Sequence, residues 1–247
     1  MLAGAALLAA GCTTDRSTVT TSTVTVTRDP AGPSPSAPAI TETREFAAGP
    51  FTAVRLAAHY DVVVSVGGPT SVVAQGDPAA LDLLDIRTEG DTLLASVKPN
   101  VQWPPNARVT LTVTTPTLTA AELDGSGDMR IGPLRTDTLS IDKDGSGDVE
   151  APDLTLTRLE VSSSGSGEIR AGGTAEDADI TLDGSGDAEL RALTVKRAEV
   201  SASGSGSLAI EATERVSGSI SGSGDVEVTG GAACSISSTG SGDATCA

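Results

Sequence analysis

The stretch that decides the fold is DGSGD at residues 124–128, because it returns at nearly constant spacing along the second half of the chain. Close copies stand at 144–148, 164–168, 183–187, 203–207, 221–225 and 239–243. The first glycines of successive copies lie 18 to 20 residues apart. A near-constant period in this range is typical of solenoid proteins, in which each repeat forms one coil.

Apolar residues occupy fixed positions around each Gly-Ser-Gly. Counted from the first glycine, the positions six and four before it and four and six after it are mostly Ala, Val, Leu, Ile or Met, with polar residues between them. The position two before is mixed and includes Lys143 and Ser163, but the alternation predicts that it points inward, like the position four after. This alternation indicates strands with one buried face on both sides of a bend. We therefore predict an all-β fold, a parallel β-helix with coils of about 18–20 residues stacked at ~4.8 Å.

In such coils the Gly-Ser-Gly motif is interpreted as a structural corner. Glycine permits the φ > 0 angles that a sharp bend needs and avoids a Cβ that would collide with a stacked coil. The serine between the glycines is expected to hydrogen-bond along its own column. The predicted corner residues are Gly125, Gly127, Gly145, Gly147, Gly165, Gly167, Gly184, Gly186, Gly204, Gly206, Gly222, Gly224, Gly240 and Gly242.

Several catalytic or binding uses of the motif lack the residues they require. A serine nucleophile needs a base, but the chain has one histidine, His59, far from the repeats. No copy carries the lysine of a phosphate-binding loop, and one His with three scattered Cys does not provide an ordinary zinc site. We predict no catalytic residues.

Calcium is the alternative that the acidic columns leave open. Stacked coils place like carboxylates ~5 Å apart, where they repel unless screened, protonated or bridged by a cation. The competing interpretation is that each Asp caps a turn through a side chain–backbone hydrogen bond. The only cofactor considered is weakly bound Ca²⁺, for which the candidate ligands are Asp124, Asp128, Asp144, Asp148, Asp183 and Asp187.

A carbohydrate-active β-helix enzyme is a further alternative. Such a site would pair carboxylates with Arg or Lys, and basic residues are sparse here. Arg130 and Arg170 share one column two coils apart, with Glu150 between them.

The charge distribution excludes one class of partner. The net charge is −17, and 23 acidic residues against 9 basic ones lie beyond residue 120. Nucleic-acid binding depends on Lys and Arg that neutralise phosphates, so no nucleic acid is expected.

The N-terminus is typical of an exported protein. Residues 1–12 resemble a lipoprotein signal peptide that ends at Cys12, where lipidation would anchor the chain to a membrane; the alternative is a plain signal peptide. Residues 13–39 are rich in Thr, Ser and Pro and are predicted to be a disordered tether, although the Val-Thr alternation at 23–27 could also form a strand.

The predicted β-helix domain spans residues 40–247. Its first part, 40–118, is expected to form irregular coils and a cap, with a short helix or turn at 79–85, His59 and Tyr60 on a turn, and Trp103 in a loop. Residues 119–247 contain the seven repeats.

Cys234 and Cys246 stand in apolar columns of the final coil. In an exported protein, the even pair that remains after lipidation of Cys12 suggests a disulfide that closes the end of the solenoid. Two free buried thiols are the alternative.

Three segments carry a family resemblance: FTAVRLAAHYDVVVSVG at 51–67, QGDPAALDLL at 75–84 and VTLTVTTPTLTAAELDGSGDM at 109–129, with the later GSGD copies. Together they make roughly residues 50–245 similar to the bacterial DUF2807 family, the auto-transporter adhesin head GIN domain. The resemblance implies a single-stranded right-handed β-helix in an exported, envelope-associated protein, and it brings no catalytic residues.

The expected function is therefore that of a lipid-anchored, extracytoplasmic module of the bacterial cell envelope, structural or adhesive and without enzymatic activity. Its expected partners are the membrane, through a lipid on Cys12, and an unidentified envelope polysaccharide or protein.

Overall fold

The computed structural model describes residues 23–25 and 41–247, which are almost entirely β-structure. The first strands in chain order are β1 (Thr23–Thr25), β2 (Thr41–Phe46), β3 (Ala53–Ala57), β4 (Asp61–Val66), β5 (Ser71–Gly76), β6 (Leu84–Glu89), β7 (Thr92–Val97), β8 (Val109–Thr115) and β9 (Ala120–Leu123). The later ones are β10 (Met129–Ile131), β11 (Leu134–Lys143), β12 (Val149–Ser163), β13 (Ile169–Leu182), β14 (Ala188–Gly204), β15 (Leu208–Gly222), β16 (Val226–Thr229), β17 (Ala233–Gly240) and β18 (Ala244–Cys246). One helix, α1 (Pro78–Leu81), begins after its N-cap residue Asp77.

Successive coils pair in parallel with the register that the repeat spacing predicts. Leu139 lies beside Leu159, and Val149 lies beside Ile169, each 20 residues further along the chain. From β11 to β15 each strand pairs with the next, and β16, β17 and β18 complete the stack. The parallel β-helix is thereby confirmed.

The apolar columns form the core. Residues four before and four after the first glycine are buried in the inner coils, as for Ile141 and Val149. The mixed column also points inward, because Lys143 and Ser163 are buried with it. Two details differ from the prediction: Leu118 is buried in place of Thr119, and Cys234 in the final coil is exposed.

The first coil precedes the Gly-Ser-Gly repeats. β3 and β4, joined by the bend at residues 58–60, pair in parallel with β9 and β10. The predicted turn at His59 and Tyr60 is thus confirmed. Beyond this coil, antiparallel pairings of β2 with β5, β5 with β8 and β6 with β7 cover its outer side. The predicted helix or turn at 79–85 is wrong at its end, because β6 already begins at Leu84.

The tether prediction is also wrong at three residues. Thr23–Thr25 forms β1, antiparallel to β2. The alternating Val and Thr suit a strand, and an exposed sheet edge pairs with such a segment through backbone hydrogen bonds alone. Cys12 and the rest of 13–39 lie outside the described residues. No helix in the described part of the chain is long and apolar enough to span a membrane.

Candidate functional site

The corner glycines are required by the close approach of stacked backbones. A Cβ built on Gly145 would lie 1.8 Å from the carbonyl oxygen of Gly125, and one on Gly147 would lie 2.1 Å from that of Gly127. Such distances are far inside van der Waals contact. The predicted collision is confirmed, and the coil it involves is the preceding one.

The other predicted reason for glycine holds only in part. Among the corner glycines a φ in the left-handed region occurs at Gly204, Gly222 and Gly240, and not at the earlier corners. The first four repeats therefore need glycine for space, and the last three need it for backbone conformation as well.

The aspartates that follow the corners form a hydrogen-bonded ladder. The Oδ1 atom of Asp128 accepts a hydrogen bond from the backbone N–H of Asp148 at 2.9 Å, and Asp148 accepts one from Glu168 at 2.8 Å. Asp187 does the same for Ser207 at 2.8 Å. These N–H groups need a carboxylate because the nearest carbonyls, those of the second corner glycines, point at the α-carbons of the next coil.

The aspartates that precede the corners form a separate row. Asp183 accepts a hydrogen bond from the hydroxyl of Ser203 at 2.7 Å, and Asp144 accepts one from Ser164. Asp124 instead pairs with Arg55. In the same region, partial burial raises the pKa of Asp142, and the neighbouring carboxylates of Asp144 and Asp124 raise it further.

The six candidate calcium ligands are therefore divided between two rows on either side of the corner. Within the described ranges, no three His, Cys, Asp or Glu side chains converge closely enough to hold a metal ion. The middle serines of the corners differ from expectation too, since the side-chain hydrogen bonds between coils run through the aspartate rows and not through Ser126 or Ser146.

Arg130 and Arg170 do lie in one groove with the Asp128 and Asp148 carboxylates. This groove has a volume of about 350 Å³ and also includes Asp61 and Glu150. Both guanidinium groups are already paired, Arg130 with Glu150 at 2.6 Å and Arg170 with Glu168 and, at 3.6 Å, Asp148. Both bases of the groove are thus held in ion pairs, and Asp61 and Asp128 accept hydrogen bonds from backbone N–H groups.

A second groove follows the corner column itself. It is lined by residues 124–126 and 144–146, continues over Ser164 to Ser166, and ends at Ser185. This groove is shallow and open, and it exposes serine hydroxyls and the carboxylates of Asp124 and Asp144 with glycines between them.

An aromatic cluster stands at the N-terminal end of that column. Ala58 lies beneath Gly125 and Tyr60 beneath Gly127, so His59 occupies the place that Ser126 has in the next coil. The Trp103 ring meets His59 edge to face with centroids 4.4 Å apart, and it stacks on Tyr60 at 6.2 Å. Composition alone did not predict this cluster, because the two segments are separated by more than forty residues in the sequence.

Lys143 and Ser163 are the unpartnered polar groups of the core. The Nζ atom of Lys143 and the Oγ atom of Ser163 are buried without a hydrogen-bond partner. Burial lowers the pKa of the Lys143 amine, and the more distant Asp148 and Asp144 only partly oppose this effect. The small Ser163 stacks above Lys143 in the same column, which leaves room for the longer side chain.

Cys234 and Cys246 form a disulfide in the final coil, with Cα atoms 6.6 Å apart. It joins β17 to β18 across the end of the solenoid.

The comparisons with known proteins agree with this architecture. The family model described as "Putative auto-transporter adhesin, head GIN domain", DUF2807, matches residues 50–232. A solved "putative adhesin" from Bacteroides fragilis is 27% identical, with a TM-score of 0.80 over 84% of this chain and 97% of that chain. A "putative lipid binding protein" from Parabacteroides distasonis (23% identity, TM-score 0.69, 84% of this chain and 96% of that chain) shares the fold. A "putative adhesin" from Parabacteroides merdae also shares the fold, at 18% identity and with a TM-score of 0.56 over 83% of this chain and 96% of that chain.

A search of curated proteins finds no match. The family match covers most of the chain, so the chain belongs to the DUF2807 family.

Proposed function

We propose that this protein is an exported, lipid-anchored module of the bacterial cell envelope whose β-helix binds other surface molecules without catalysing a reaction. The observation that carries the proposal is the regularity of the outer surface. Many of its charged side chains pair with one another or accept backbone hydrogen bonds, and they leave long polar faces on the stacked coils.

The charge pairs illustrate this. Arg197 pairs with Asp177 at 2.7 Å, Lys196 with Glu176 at 2.8 Å, and Arg191 with Glu227 at 2.6 Å. An active site instead concentrates groups with perturbed protonation in one cleft. The similarity to the "putative adhesin" of Bacteroides fragilis supports adhesion as the kind of binding.

The anchoring part of the proposal rests on Cys12. We expect the full chain expressed in a bacterium to incorporate an alkyne-labelled fatty acid and to remain in the membrane fraction. The Cys12→Ser variant should lose the label and leave the membrane. Equal membrane retention of both forms would contradict lipid anchoring.

Adhesion is tested by adding the purified full chain, labelled fluorescently, to intact bacterial cells and to isolated cell-envelope polysaccharide. We expect saturable binding to at least one of these surfaces that unlabelled protein displaces. Binding that is neither saturable nor displaceable would contradict an adhesive role.

The groove of Arg130 and Arg170 supports a second candidate, a carbohydrate-active enzyme. Release of reducing sugars from polysaccharide, abolished in both Asp128→Asn and Asp148→Asn, would establish that candidate. Unchanged polysaccharide after prolonged incubation with the wild-type chain would count against it.

A further inference from the structure

We infer that His59 and Trp103, together with the serine-lined groove that begins beside them, form a binding site for an uncharged polysaccharide. One sugar ring would lie against the aromatic side chains, and the following sugars would lie over Ser126 and Ser146. The inference rests on the proposed binding function and specifies its site and its class of ligand.

The first observation is the placement of the aromatic residues. The whole chain has one Trp, one Tyr and two Phe, and the Trp and the Tyr meet at this single place with the only His. Tyr60 is buried, its hydroxyl donating to the carbonyl of Ser96 at 3.3 Å, whereas His59 is exposed and Trp103 is half-buried. Rigid aromatic rings give a large contact area at low entropic cost, and such residues often dominate binding energies.

The second observation is the loop that holds Trp103. Asn100 and Asn106 flank it with φ of 59° and 60°, and they are the non-glycine residues of the described chain with positive φ. Asn tolerates left-handed backbone, so the two residues make tight turns on either side of Trp103. The indole N–H donates to the carbonyl of Ala107 at 3.2 Å, which fixes the ring relative to the loop.

The same loop carries Val101, the exposed large hydrophobic residue among those described, at 37% exposure. An apolar side chain beside an incompletely covered indole gives this end of the molecule a mixed surface, unlike the polar faces elsewhere. Sugars have both apolar ring faces and polar hydroxyls, so they match such a surface.

The third observation is the continuity between the aromatic residues and the groove. His59 stands one coil before Ser126 in the corner column, and the groove proceeds from Ser126 to Ser146, Ser166 and Ser185. The hydroxyls of these middle serines make no hydrogen bonds to neighbouring coils, unlike that of Ser164, which donates to Asp144. They recur once per coil, at ~4.8 Å. A linear polymer with a hydroxyl-rich edge can therefore hydrogen-bond repeatedly along one line.

The negative charge of the groove and of the whole chain favours uncharged polymers over acidic ones. Asp124 and Asp144 line the groove, and the chain carries a net charge of −17. Acidic polysaccharides and nucleic acids would be repelled, whereas an uncharged glycan would find hydrogen-bond acceptors.

The single tryptophan makes the test direct, because all indole fluorescence comes from Trp103. The full chain is titrated with β-linked hexasaccharides of glucose and of N-acetylglucosamine, and with heparin as a polyanionic comparison. We expect a saturable fluorescence change and protection from iodide quenching with at least one neutral hexasaccharide, and neither with heparin. The absence of any saturable change with both neutral hexasaccharides would overturn the inference.

Three variants test the two parts of the site by calorimetry. Trp103→Leu and Ser126→Tyr should each weaken binding by about tenfold or more, the second by blocking the groove without altering the loop. Ser241→Tyr is the matched control, an exposed middle serine at the far end of the same column, and it should bind like wild type. Circular dichroism and melting temperature establish that each variant is folded.

Binding to cell-envelope polysaccharide, measured in parallel, separates the inference from the proposed function. If wild type binds this material and Trp103→Leu and Ser126→Tyr bind it equally well, the site is wrong and adhesion stands. If wild type binds neither the envelope material nor the hexasaccharides, both are wrong. If the two variants lose binding to the envelope polysaccharide and to the hexasaccharides, the result supports the inferred site and the adhesive function.

Discussion

Each corner glycine brings its α-carbon against a carbonyl oxygen of the preceding coil. In Gly147 the space for a side chain is occupied by backbone atoms of Gly127 and Ser126, which cannot move without opening the stack. The exposed Ser146 between the two glycines has no such restriction. The requirement for glycine is therefore local to two positions of the motif.

Replacing Gly147 with alanine should lower the free energy of unfolding by about 2 kcal/mol or more, because the added methyl group forces the coils apart. Ser146→Ala is the matched control and should change it by less than about 0.5 kcal/mol. Urea denaturation followed by circular dichroism measures both. Equal stabilities of the two variants would contradict the steric explanation.

Lys143 is a residue whose presence in the core lowers stability. Its amine is buried without a partner, so an apolar side chain of similar length should be preferred. We expect Lys143→Met to raise the free energy of unfolding by about 1–3 kcal/mol at pH 7. The matched control is the surface variant Lys196→Met, which removes an exposed lysine and should not raise the free energy of unfolding.

The advantage of Lys143→Met should shrink as the pH rises. Burial lowers the pKa of Lys143 in the folded chain, so between that lowered pKa and the ordinary value of about 10.4 the unfolded chain binds more protons. The free energy of unfolding of the wild type therefore rises with pH across that window. Denaturation at pH 7 and at about pH 10 measures the difference, and a constant gap between the two proteins would contradict a lowered pKa of Lys143 in the folded chain.

At the scale of the strand, an aspartate carboxylate of one coil accepts a hydrogen bond from a backbone N–H of the next coil. Where the corner turns the glycine carbonyl towards an α-carbon, an aspartate at the start of the following strand accepts the N–H of its counterpart one coil further on, as Asp187 does for Ser207. The turn-capping interpretation correctly predicted that these aspartates accept backbone N–H groups. It differs from the structure in that the N–H belongs to the next coil and not to the aspartate's own turn. Glu168 lacks this contact with the coil after it, and its longer side chain pairs with Arg170 instead.

Removing a ladder carboxylate should leave a backbone N–H without an acceptor. We expect Asp187→Ala to lower the free energy of unfolding by about 1–2 kcal/mol, and Asp187→Asn, which keeps an acceptor oxygen, to lower it less. Asp153→Ala removes an exposed aspartate outside the ladder and serves as the control. Similar losses for Asp187→Ala and Asp153→Ala would mean that charge, and not the hydrogen bond, matters.

Calcium binding is tested with the same protein. If the aspartates serve the backbone ladder, millimolar Ca²⁺ should leave the melting temperature unchanged beyond the effect of Mg²⁺ at equal concentration. A larger rise with Ca²⁺ that disappears in Asp148→Asn would support a calcium site in the acidic columns.

At the scale of the whole molecule, the two ends of the solenoid are closed differently. The N-terminal side is covered by antiparallel strands, among them β6 with its ion-paired Asp85, Arg87 and Glu89. Apart from Ile236, the final coil has small residues in its inward columns, and the Cys234–Cys246 disulfide holds its two strands together. Because coils contact mainly their neighbours, each end stabilises itself almost independently of the other.

Reducing the disulfide should therefore loosen the final coil before the rest unfolds. We expect the double variant Cys234→Ser, Cys246→Ser to lose about 2–3 kcal/mol of stability. Hydrogen exchange should become faster in β17 and β18 while β12 and β13 keep their protection. Uniformly faster exchange along the chain would show that the bond supports the whole solenoid.

The sequence by itself determined the coil, its period and its inward columns, because stacking repeats the same steric and hydrophobic demands every 18 to 20 residues. Features that do not repeat were decided by the tertiary structure alone. The pairing of Thr23–Thr25 with β2 and the meeting of Trp103 with His59 depend on contacts between segments distant in sequence. The position of the aspartates in one column was predictable from the repeat. Their role as acceptors for backbone N–H groups was not, because it depends on the direction of the corner carbonyls, which only the backbone path determines.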